Sequence, residues 1–471
     1  MSDAVPDYET FVASKVHAAP AVGLDKIPRL SPKLFPFQRD IVKLALRRGR
    51  SAVFADTGLG KGWMALEWLR VVAKASDSPV LLLAPLAVSH QFAREAAKFG
   101  VPARVVKDRS DVGPGINVTN YHKLHHFDPS VFGAVALDES SILKNYTAST
   151  RAELIEAFRD TPYRLALTAT PSPNDHTELG NHAEFLGVMS RTEMLAMFFV
   201  HDGETTQEWR LKGHAETAFW QWVASWAVAV RRPSDLGYED GAYDLPPLRM
   251  HQHETKVDQR EVFATGSLFA ADAVSLSEQR AVRKATVDAR VNRCANIAAK
   301  ADGPVVVWCD LNAEGDALES AIPDAVQVSG ADSDEDKERK LADFAEGRAR
   351  VIVTKPSVAG FGLNWQHAHT VVYCGVTHSF EAFYQSVRRC YRFGQTLPVD
   401  VHVVTAETEG RILESLKRKQ EDAAHMGDAM VRAMAEITKA EIKATGRTFT
   451  AYQPEMPIKF PNWIRSESEA V

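Results

Sequence analysis

The chain has 471 residues, of which 45% are hydrophobic and 25% charged, and its formal net charge is −6 at pH 7. This length suits two or three domains, and the composition is globular, which excludes a disordered or fibrous chain. The net charge alone argues against a nucleic-acid partner, but a molecular motor needs only a locally basic groove, so charge does not exclude one.

The ends and the cysteines predict a cytoplasmic protein. The opening MSDAVPDYE lacks a basic start and an apolar run, so we expect no signal peptide. No stretch of the sequence approaches the roughly 18 apolar residues that a membrane span needs. The four cysteines, at 294, 309, 374 and 390, show no C-x-x-C spacing. We therefore expect small core residues in a reducing compartment rather than zinc or redox sites.

Short apolar segments alternate with helical patterns from Leu34 onward, after an N-terminal arm over 1–33. Five of these segments are bounded by turn residues and separated by helix-length stretches. They lie at 51–55, 79–85, 116–121, 134–139 and 163–170. Nearly continuous apolar strands with intervening helices are typical of a parallel sheet covered on both faces. The pattern predicts a first α/β domain over 34–186.

The stretch over 187–250 differs, because it is rich in aromatic residues and helix formers, and it predicts a helical and hairpin connection. Five of its apolar residues fall at helical spacing and predict one packed stripe, with nucleobase stacking as the alternative. They are Phe219, Trp222, Val223, Trp226 and Val230. HDGETTQEWRLKGH, between His201 and His214, predicts a hairpin. No carboxylate or histidine cluster accompanies these histidines, so we expect no metal site there.

The strand pattern then resumes and predicts a second α/β domain over 251–407. Its predicted strands lie at 304–310, 325–330, 350–355, 369–375 and 399–404. The remaining 408–471 predict a helix capped by Thr408, a charged Ala-rich helical stretch and a Pro-punctuated tail, YQPEMPIKFPNWI. This tail, around Trp463, is a candidate docking peptide for a protein partner, and folding back on its own domain is the alternative.

A glycine-rich loop, ADTGLGKG at 55–62, follows an apolar strand and precedes a helical pattern. Such a loop offers backbone N–H groups and a helix N-terminus to an anion, and Lys61 is placed to reach the β- and γ-phosphates. Glycines are needed because a Cβ would block the close approach of the backbone to phosphate. Alone, the loop is also compatible with an ordinary turn of an α/β protein.

Asp138 and Glu139 end another apolar strand, AVALDE. The carboxyl ends of parallel strands face one crevice, so the loop and the acidic pair are predicted to converge. We expect Asp138 to hold Mg²⁺, directly or through water, and Glu139 to orient or deprotonate the attacking water. A pair that only caps a helix is the alternative.

Two arginines in the second domain complete the predicted site. Arg389 and Arg392 are three residues apart within QSVRRCYRFGQ at 385–395, which predicts that they share one helical face. Two guanidinium groups suit a transferring phosphoryl group. The flanking Tyr384, Val387 and Tyr391 predict a mostly buried element, in which an arginine needs an anion. A solvent-facing basic helix is the alternative.

Eight segments in this order resemble helicase superfamily two, and within it the Swi/Snf-like double-stranded DNA translocases, over about 34–420. They are Phe37-Gln38, ADTGLGK (55–61), APLAVSHQF (84–92), LDESSILKN (137–145), LTATP (167–171), VRRPSD…LPP (230–247), VAGFGLNW (358–365) and QSVRRCYRFGQ (385–395). DESSILKN, TATPSPND and ELGNHAEFLGVMSRTEM are also similar to compact helicase-like proteins of bacteriophages and prophages.

The resemblance implies two tandem RecA-like domains with parallel sheets, a helical and hairpin connection, and a helical C-terminal tail. It implies ATP and Mg²⁺ as cofactors and DNA, read with little sequence specificity, as the partner. The matching positions imply catalytic roles for Glu139, Gln385, Arg389 and Arg392. They imply ATP contacts by Gln38, Thr57, Gly58, Gly60, Lys61 and Gly62, and Mg²⁺ contacts by Asp138 and Glu139. They imply that Thr168 and Thr170 couple hydrolysis to movement, and that Pro85, Asn120, Lys355 and Asn364 contact the nucleic acid.

Gly62 departs from the family, which has a Mg²⁺-binding Thr or Ser at this position. Either water fills the ligand position and turnover is slower, or ATP binds without useful turnover. Glu139 and both arginines are present, so we expect retained activity, and Gly62→Thr is expected to raise the ATPase rate or the Mg²⁺ affinity.

Three functions are therefore open. The first is an ATP-driven DNA translocase or helicase. The second is an ATP-gated DNA-binding clamp with weak turnover, and the third is the motor subunit of a multi-chain defence or restriction complex. An RNA motor is the weakest alternative, because Lys144-Asn145 and the double-arginine segment are typical of the DNA branch.

Overall fold

A computed structural model describes residues 19–85, 89–145, 148–172, 175–201, 209–255, 286–359, 363–375, 379–406 and 410–443. Within these residues the chain forms two parallel sheets in tandem, each with its own helices, which confirms the predicted α/β class. Along the same residues, no helix is both long and apolar enough to cross a membrane.

Seven strands form the first sheet, in the order β3-β4-β2-β5-β6-β1-β9. They are β1 (Arg50–Ala55), β2 (Val80–Ala84), β3 (Ala103–Val105), β4 (Ile116–Asn120), β5 (Ala134–Asp138), β6 (Tyr163–Thr168) and β9 (Ala227–Val230). The helices of this part are α1 (Pro36–Arg48), α2 (Lys61–Ser76), α3 (Ser89–Phe99), α4 (Ile142–Asn145), α5 (Ala148–Ala157), α6 (Leu179–Leu186), α7 (Arg191–Phe198) and α8 (Glu216–Trp226).

The first sheet is covered on both faces, as its continuous apolar strands predict. Every residue of β2 and β5 is buried. Leu81 and Leu83 pack into one core cluster, whereas Val80 and Leu82 pack into the other on the opposite face. Successive side chains of a strand point to opposite faces, so a strand buried on both sides must be apolar throughout. The carboxyl ends of these strands are thereby left as the polar edge of the sheet.

Six strands form the second sheet, in the order β10-β15-β14-β11-β13-β12. They are β10 (Leu248–Thr255), β11 (Val305–Cys309), β12 (Ala325–Val328), β13 (Val351–Thr354), β14 (Thr370–Cys374) and β15 (Val399–Ala406). Its helices are α9 (Val287–Lys300), α10 (Asn312–Ala321), α11 (Asp334–Ala345), α12 (Pro356–Ala359) and α13 (Phe380–Val387). The four cysteines are free thiols, and all four are buried.

The stretch between the sheets differs from its prediction at one end. Helix α8 buries Phe219, Trp222 and Trp226 against the first core, as the helical spacing predicts. Val230, however, lies in β9, which pairs with β1 through Ala55↔Val230, so the predicted helical stripe is wrong there. A run of four small or β-branched residues is too short for periodicity to separate strand from helix.

The predicted hairpin is present. Strand β7 (Phe199–His201) pairs antiparallel with β8 (Trp209–Leu211), and the predicted tip between them lies outside the described residues.

The C-terminal helix returns to the first domain. Helix α14 (Gly410–Ile442) follows the last strand of the second sheet, and its Met430, Val431 and Met434 pack into the first core. Near its end Glu441 accepts a hydrogen bond from Arg48 of α1. The prediction of a helical C-terminal region is therefore confirmed. The predicted cap Thr408 and the tail around Trp463 lie outside the described residues.

Candidate active site

The glycine-rich loop lies between β1 and α2. Gly58 and Gly60 have φ angles of +89° and +81°, in the left-handed region that favours glycine. A Cβ on Gly58 would lie 2.9 Å from the backbone nitrogen of Phe393, and one on Gly60 would lie 2.4 Å from Nε2 of Gln38. The loop therefore needs glycine both for its turns and for close approach by neighbouring residues.

Lys61 is the first residue of α2, and its ammonium group is buried beneath the loop. Its Nζ donates a hydrogen bond to the carbonyl oxygen of Ala55 at 2.9 Å. Burial lowers the pKa of Lys61, although the nearby carboxylates of Glu139 and Asp138 oppose the shift. The site thus holds a cation that faces an acidic pair across a short space.

Asp138 and Glu139 stand at the carboxyl end of β5. Burial, and then the charge of Glu139, raises the pKa of Asp138 to about 7. Glu139 has a φ of +52°, a strained conformation for a residue with a Cβ. Among the described residues, its buried Oε2 has no hydrogen-bond partner. A strained residue with an unsatisfied acceptor is typical of a group that waits for a ligand.

The two predicted arginines reach the same space from the second domain, but not from a helical face. Helix α13 ends at Val387, so Arg389 and Arg392 lie in the turns that follow, and the prediction of one helical face is wrong. Both guanidinium groups instead donate to one carbonyl oxygen, that of Leu363, at 3.3 and 3.0 Å. This shared acceptor keeps them side by side. Burial, and then Arg392, lowers the pKa of Arg389 to about 10.

Gln385 lies behind Arg389 and does not line the cleft. Its Oε1 accepts a hydrogen bond from Nη2 of Arg389 at 2.9 Å, and its backbone oxygen accepts from Nε, also at 2.9 Å. The structure therefore makes it a positioning residue that fixes the plane of the guanidinium.

These groups surround one cleft of about 260 Å³ between the domains. The predicted residues that line it are Gln38, Thr57, Gly58, Gly60, Lys61, Gly62, Asp138, Glu139, Asn364, Arg389 and Arg392. The lining residues that the sequence did not reveal are Lys33, Phe35, Trp63, Phe92, Glu95, Tyr243, Gln366 and Phe393. Three of them, Phe35, Tyr243 and Phe393, form an aromatic group with ring centroids 4.6 to 5.9 Å apart.

Gln38 stands beside this aromatic group with its amide already engaged. Its Nε2 donates to the carbonyl oxygen of Leu59 at 2.9 Å, and its Oε1 accepts from the backbone N–H of Phe35 at 2.9 Å. The aromatic rings and the amide together give the cleft one apolar end, opposite its charged end.

Gly62 faces a crowded space. A Cβ built on it would lie 2.9 Å from Cε1 of Phe92 and 3.9 Å from Oε2 of Glu95. The expectation that Gly62→Thr improves the site therefore needs correction, because the buried ring of Phe92 occupies the place that a threonine would take.

Further contacts lie beside a second cavity between the domains, which Asp56, Thr170, Tyr384 and Arg388 line. Thr168 accepts a hydrogen bond from the backbone N–H of Thr170 at 3.1 Å, and the Thr170 hydroxyl donates to Glu381 of α13 at 3.2 Å. On the loop itself, Asp56 accepts from Arg388 at 2.6 Å and from the Tyr384 hydroxyl at 2.7 Å. Neither Asp56 nor Arg388 stood out in the sequence, although Asp56 lies within the loop motif.

The residues predicted to contact nucleic acid do not form one cluster. Pro85 and Asn120 lie at the carboxyl ends of the neighbouring strands β2 and β4, whereas Lys355 follows β13 and donates to Asn312 at 2.6 Å. Asn364 lines the cleft between the domains, where its Nδ2 donates to Glu95 at 3.2 Å. Of these four residues, Asn364 alone lines the cleft.

Comparison with known proteins gives consistent matches. Residues 290–394 match the helicase conserved C-terminal domain. The DNA annealing helicase and endonuclease ZRANB3 of Mus musculus is 30% identical over 183 residues, which are 35% of this chain and 17% of that protein. The SWI/SNF-related matrix-associated actin-dependent regulator of chromatin subfamily A-like protein 1 of Bos taurus is 24% identical over 433 residues, which are 83% of this chain and 44% of that protein.

This chain therefore spans less than half the length of these relatives. Among solved structures, the Sulfolobus solfataricus SWI2/SNF2 ATPase core in complex with dsDNA matches 88% of this chain and 96% of that chain. The identity is 19% and the TM-score is 0.40. At the level of sequence, the chain is thus similar to helicases and to Swi/Snf-related proteins.

Proposed function

We propose that the chain binds ATP in the cleft between its domains, hydrolyses it and uses the cycle to move on DNA. The observation that carries the proposal is the meeting of Lys61 and the acidic pair from one domain with Arg389 and Arg392 from the other. Lys61, Arg389 and Arg392 can all be paired at once by a strongly anionic ligand with several separated charges. A nucleoside triphosphate is such a ligand.

Lys61 and the backbone N–H groups of the loop bind the phosphates, and Arg389 and Arg392 neutralise charge that builds up as the bond to the terminal phosphoryl group breaks. Glu139 accepts a proton from, or orients, the attacking water. Gln385 holds the guanidinium of Arg389 in the required plane. The adenine fits the apolar end, beside Gln38 and the three aromatic rings.

A divalent cation fits the acidic end. Asp138 and Glu139 provide hard carboxylate oxygens, and the unpartnered Oε2 of Glu139 is available to such a group or to its water. When bound, Mg²⁺ supplies charge neutralisation to the phosphates. Among the described residues, no three His, Cys, Asp or Glu form a ready-made metal site. This is compatible with Mg²⁺, which usually keeps waters and phosphate oxygens among its ligands.

Movement follows from the division of the site between two domains. The arginines reach the terminal phosphate only when the domains are together, so the closed arrangement is favoured by ATP and released by hydrolysis. DNA as the track is supported by the eight segments that resemble Swi/Snf-like translocases, and by relatives that are described as a DNA annealing helicase and a regulator of chromatin. A preference for duplex DNA, and the compact bacteriophage type, belong to the same proposal.

A second candidate is an ATP-gated DNA clamp with weak turnover. The observation that favours it is Gly62, which offers no hydroxyl and has no room for one because of Phe92. It predicts ATP-dependent DNA binding with negligible phosphate release.

The deciding experiment measures phosphate release with no nucleic acid, single-stranded DNA, duplex DNA and RNA. We expect the largest rate with duplex DNA, and loss of the rate in Lys61→Ala and in Glu139→Gln. Lys43→Ala, which removes an exposed lysine of α1, is the matched control and should keep the wild-type rate. A rate that no nucleic acid stimulates would refute the motor, and ATP-dependent binding of DNA without release would favour the clamp.

A further inference from the structure

Gln38 is held under the glycine-rich loop by both ends of its amide. Its Oε1 accepts a hydrogen bond from the backbone N–H of Phe35 at 2.9 Å. Its Nε2 donates to the carbonyl oxygen of Leu59 at 2.9 Å and to the hydroxyl of Tyr243 at 3.5 Å. The residue is only 4% exposed, and a Cβ on Gly60 would lie 2.4 Å from Nε2. The amide is therefore enclosed by the loop and by the start of α1.

These contacts leave Gln38 poorly placed to read a base. A glutamine that reads adenine uses its oxygen to accept from N6 and its nitrogen to donate to N7 at the same time. In Gln38 the nitrogen already donates twice, and an amide nitrogen carries only two hydrogens. Reading adenine would therefore break a hydrogen bond to a neighbouring residue, and its loss would offset what the contact with the base contributes.

The aromatic group of Phe35, Tyr243 and Phe393 offers the base a different kind of contact. The ring centroid of Phe35 lies 5.7 Å from that of Tyr243 and 5.9 Å from that of Phe393, and the ring planes are 75° and 71° apart. Phe35 thus stands edge-on to both rings, and it is 44% exposed although it lines the cleft. An exposed aromatic ring beside a ligand is a stacking surface, and stacking tolerates any base because every base has a π-face.

We infer that the cleft holds the nucleobase by stacking on Phe35 and does not read its edge through Gln38, so that GTP is accepted as well as ATP. This inference rests on the proposed function. Gln38 is then a positioning residue, whose hydrogen bond to Leu59 fixes the loop that receives the phosphates. The site selects for the triphosphate and for a flat ring, with purines above pyrimidines because the larger ring stacks more strongly.

Inorganic triphosphate separates the two roles of Gln38, because it carries the charges of ATP without a base. If Gln38 fixes the loop, its replacement weakens the binding of ATP, GTP and inorganic triphosphate by the same factor. If Gln38 reads adenine, its replacement weakens the binding of ATP alone. Stacking on Phe35 predicts a third pattern, in which replacement of the ring weakens both nucleotides and leaves inorganic triphosphate unchanged.

The experiment titrates the full chain with ATP, GTP, UTP and inorganic triphosphate by calorimetry, with MgCl₂ and without nucleic acid. For the wild type we expect the affinities for ATP and GTP to differ by less than about tenfold. Gln38→Leu should weaken the binding of all four ligands by a common factor and leave the ratio of ATP to GTP affinity unchanged. Phe35→Ala keeps the backbone N–H that Gln38 accepts from. It should weaken nucleotide binding about tenfold and leave the affinity for inorganic triphosphate unchanged.

Two further variants sharpen the test. Phe35→Trp keeps an aromatic face and should retain the affinity for nucleotides. Val131→Ala removes an exposed apolar side chain outside the cleft and is the matched control. Thermal unfolding of each variant checks that it is folded.

Three results would overturn the inference. The first is a wild type that binds ATP about tenfold or more tightly than GTP. The second is a Gln38→Leu variant that binds ATP more weakly but inorganic triphosphate unchanged. The third is a Phe35→Ala variant that loses affinity for inorganic triphosphate as much as for ATP. Absence of binding of every triphosphate by the wild type would instead refute the proposed function, which distinguishes the two failures.

Discussion

The contact between Asp56 and Arg388 gives the most direct test of how the domains are held together. Arg388 donates to one oxygen of Asp56 at 2.6 Å, and the Tyr384 hydroxyl donates to the other at 2.7 Å. The side chains of Arg388 and Asp56 are 13% and 12% exposed. Burial alone would raise the pKa of Asp56, but Arg388, Tyr384 and the Thr57 amide hold it below its usual value. The glycine-rich loop is therefore tied to the second domain by a charged contact.

Asp56→Asn leaves the shape of the contact but removes its charge. Exposed ion pairs contribute about 0–1 kcal/mol, whereas breaking a buried pair costs about 3–5 kcal/mol. Since a small part of each side chain still meets solvent, we expect a loss of about 2 kcal/mol from the closed arrangement. This corresponds to about a 30-fold shift of the opening equilibrium.

The assay is energy transfer between two dyes, one on an exposed residue of each domain, for Asp56→Asn, Arg388→Gln and both together. We expect the double variant to lose little more than either single one, because the two residues act as a pair. The exchanged pair, Asp56→Arg with Arg388→Asp, should recover part of the transfer. Arg339→Gln removes an exposed ion pair within α11 and is the matched control. Single effects that add within about 0.5 kcal/mol would refute the reasoning.

Three further predictions test the packing and the charges of the two domains. Arg290→Met leaves Glu314, its fully buried partner at 2.6 Å, without the ion pair, so unfolding in urea should show a loss of about 3–5 kcal/mol, and a smaller loss when Glu314→Leu is added. Gly62→Thr should weaken nucleotide binding, and adding Phe92→Ala to it should restore the affinity, because the ring of Phe92 crowds the new side chain. Tighter nucleotide binding by Gly62→Thr alone would contradict this explanation. Burial and two neighbouring histidines lower the pKa of His402 from 6.5 to about 4, so the folded state binds fewer protons than the unfolded state. The contribution of His402 to the free energy of unfolding, measured in urea, should therefore be fully present above pH 6.5 and be lost as the pH drops towards 4. His402→Asn should reduce this pH dependence.

Five of the seven strands of the first sheet, all except β3 and β9, were predictable because burial on both faces imposes a composition that few other elements share. All five residues of β2 are aliphatic and buried, and the predicted segment 79–85 contains them. Strand β9 escaped prediction because its partner is β1, more than 170 positions away, and a four-residue run carries no period of its own. Its membership of the first sheet depends on tertiary packing, which the local sequence does not encode.

The parts of the site that lie within one sequence motif were predictable. The contacts between elements that are remote in sequence were not. The loop and the acidic pair follow from strand ends that face one crevice. The helical face of the arginines was a wrong inference, because spacing by three is compatible with turns as well as with a helix. Arg388 was missed since three arginines lie within five positions and nothing local shows which of them meets Asp56. Glu95 was missed because Asn364, which donates a hydrogen bond to it, is remote in sequence.

The C-terminal helix decides which motion remains possible. Helix α14 follows β15 of the second sheet but buries Met430 and Met434 in the core of the first domain. A cavity of about 240 Å³ lies between the domains, beside the part of α14 that contains Met426 and Met430. Residues of both domains and of this helix line it. Since the helix fastens the domains on this side, they cannot separate as two free bodies. Two contacts between the domains, Asp56–Arg388 and Thr170–Glu381, adjoin this same cavity, whereas Asn364–Glu95 lies in the other cleft, beside Gly62 and Arg392. Since the helix covers the cavity, we expect opening to widen the cleft. If the chain hydrolyses ATP as proposed, loss of the terminal phosphate removes a ligand shared by Lys61 and the two arginines at the cleft, and the domains should part there.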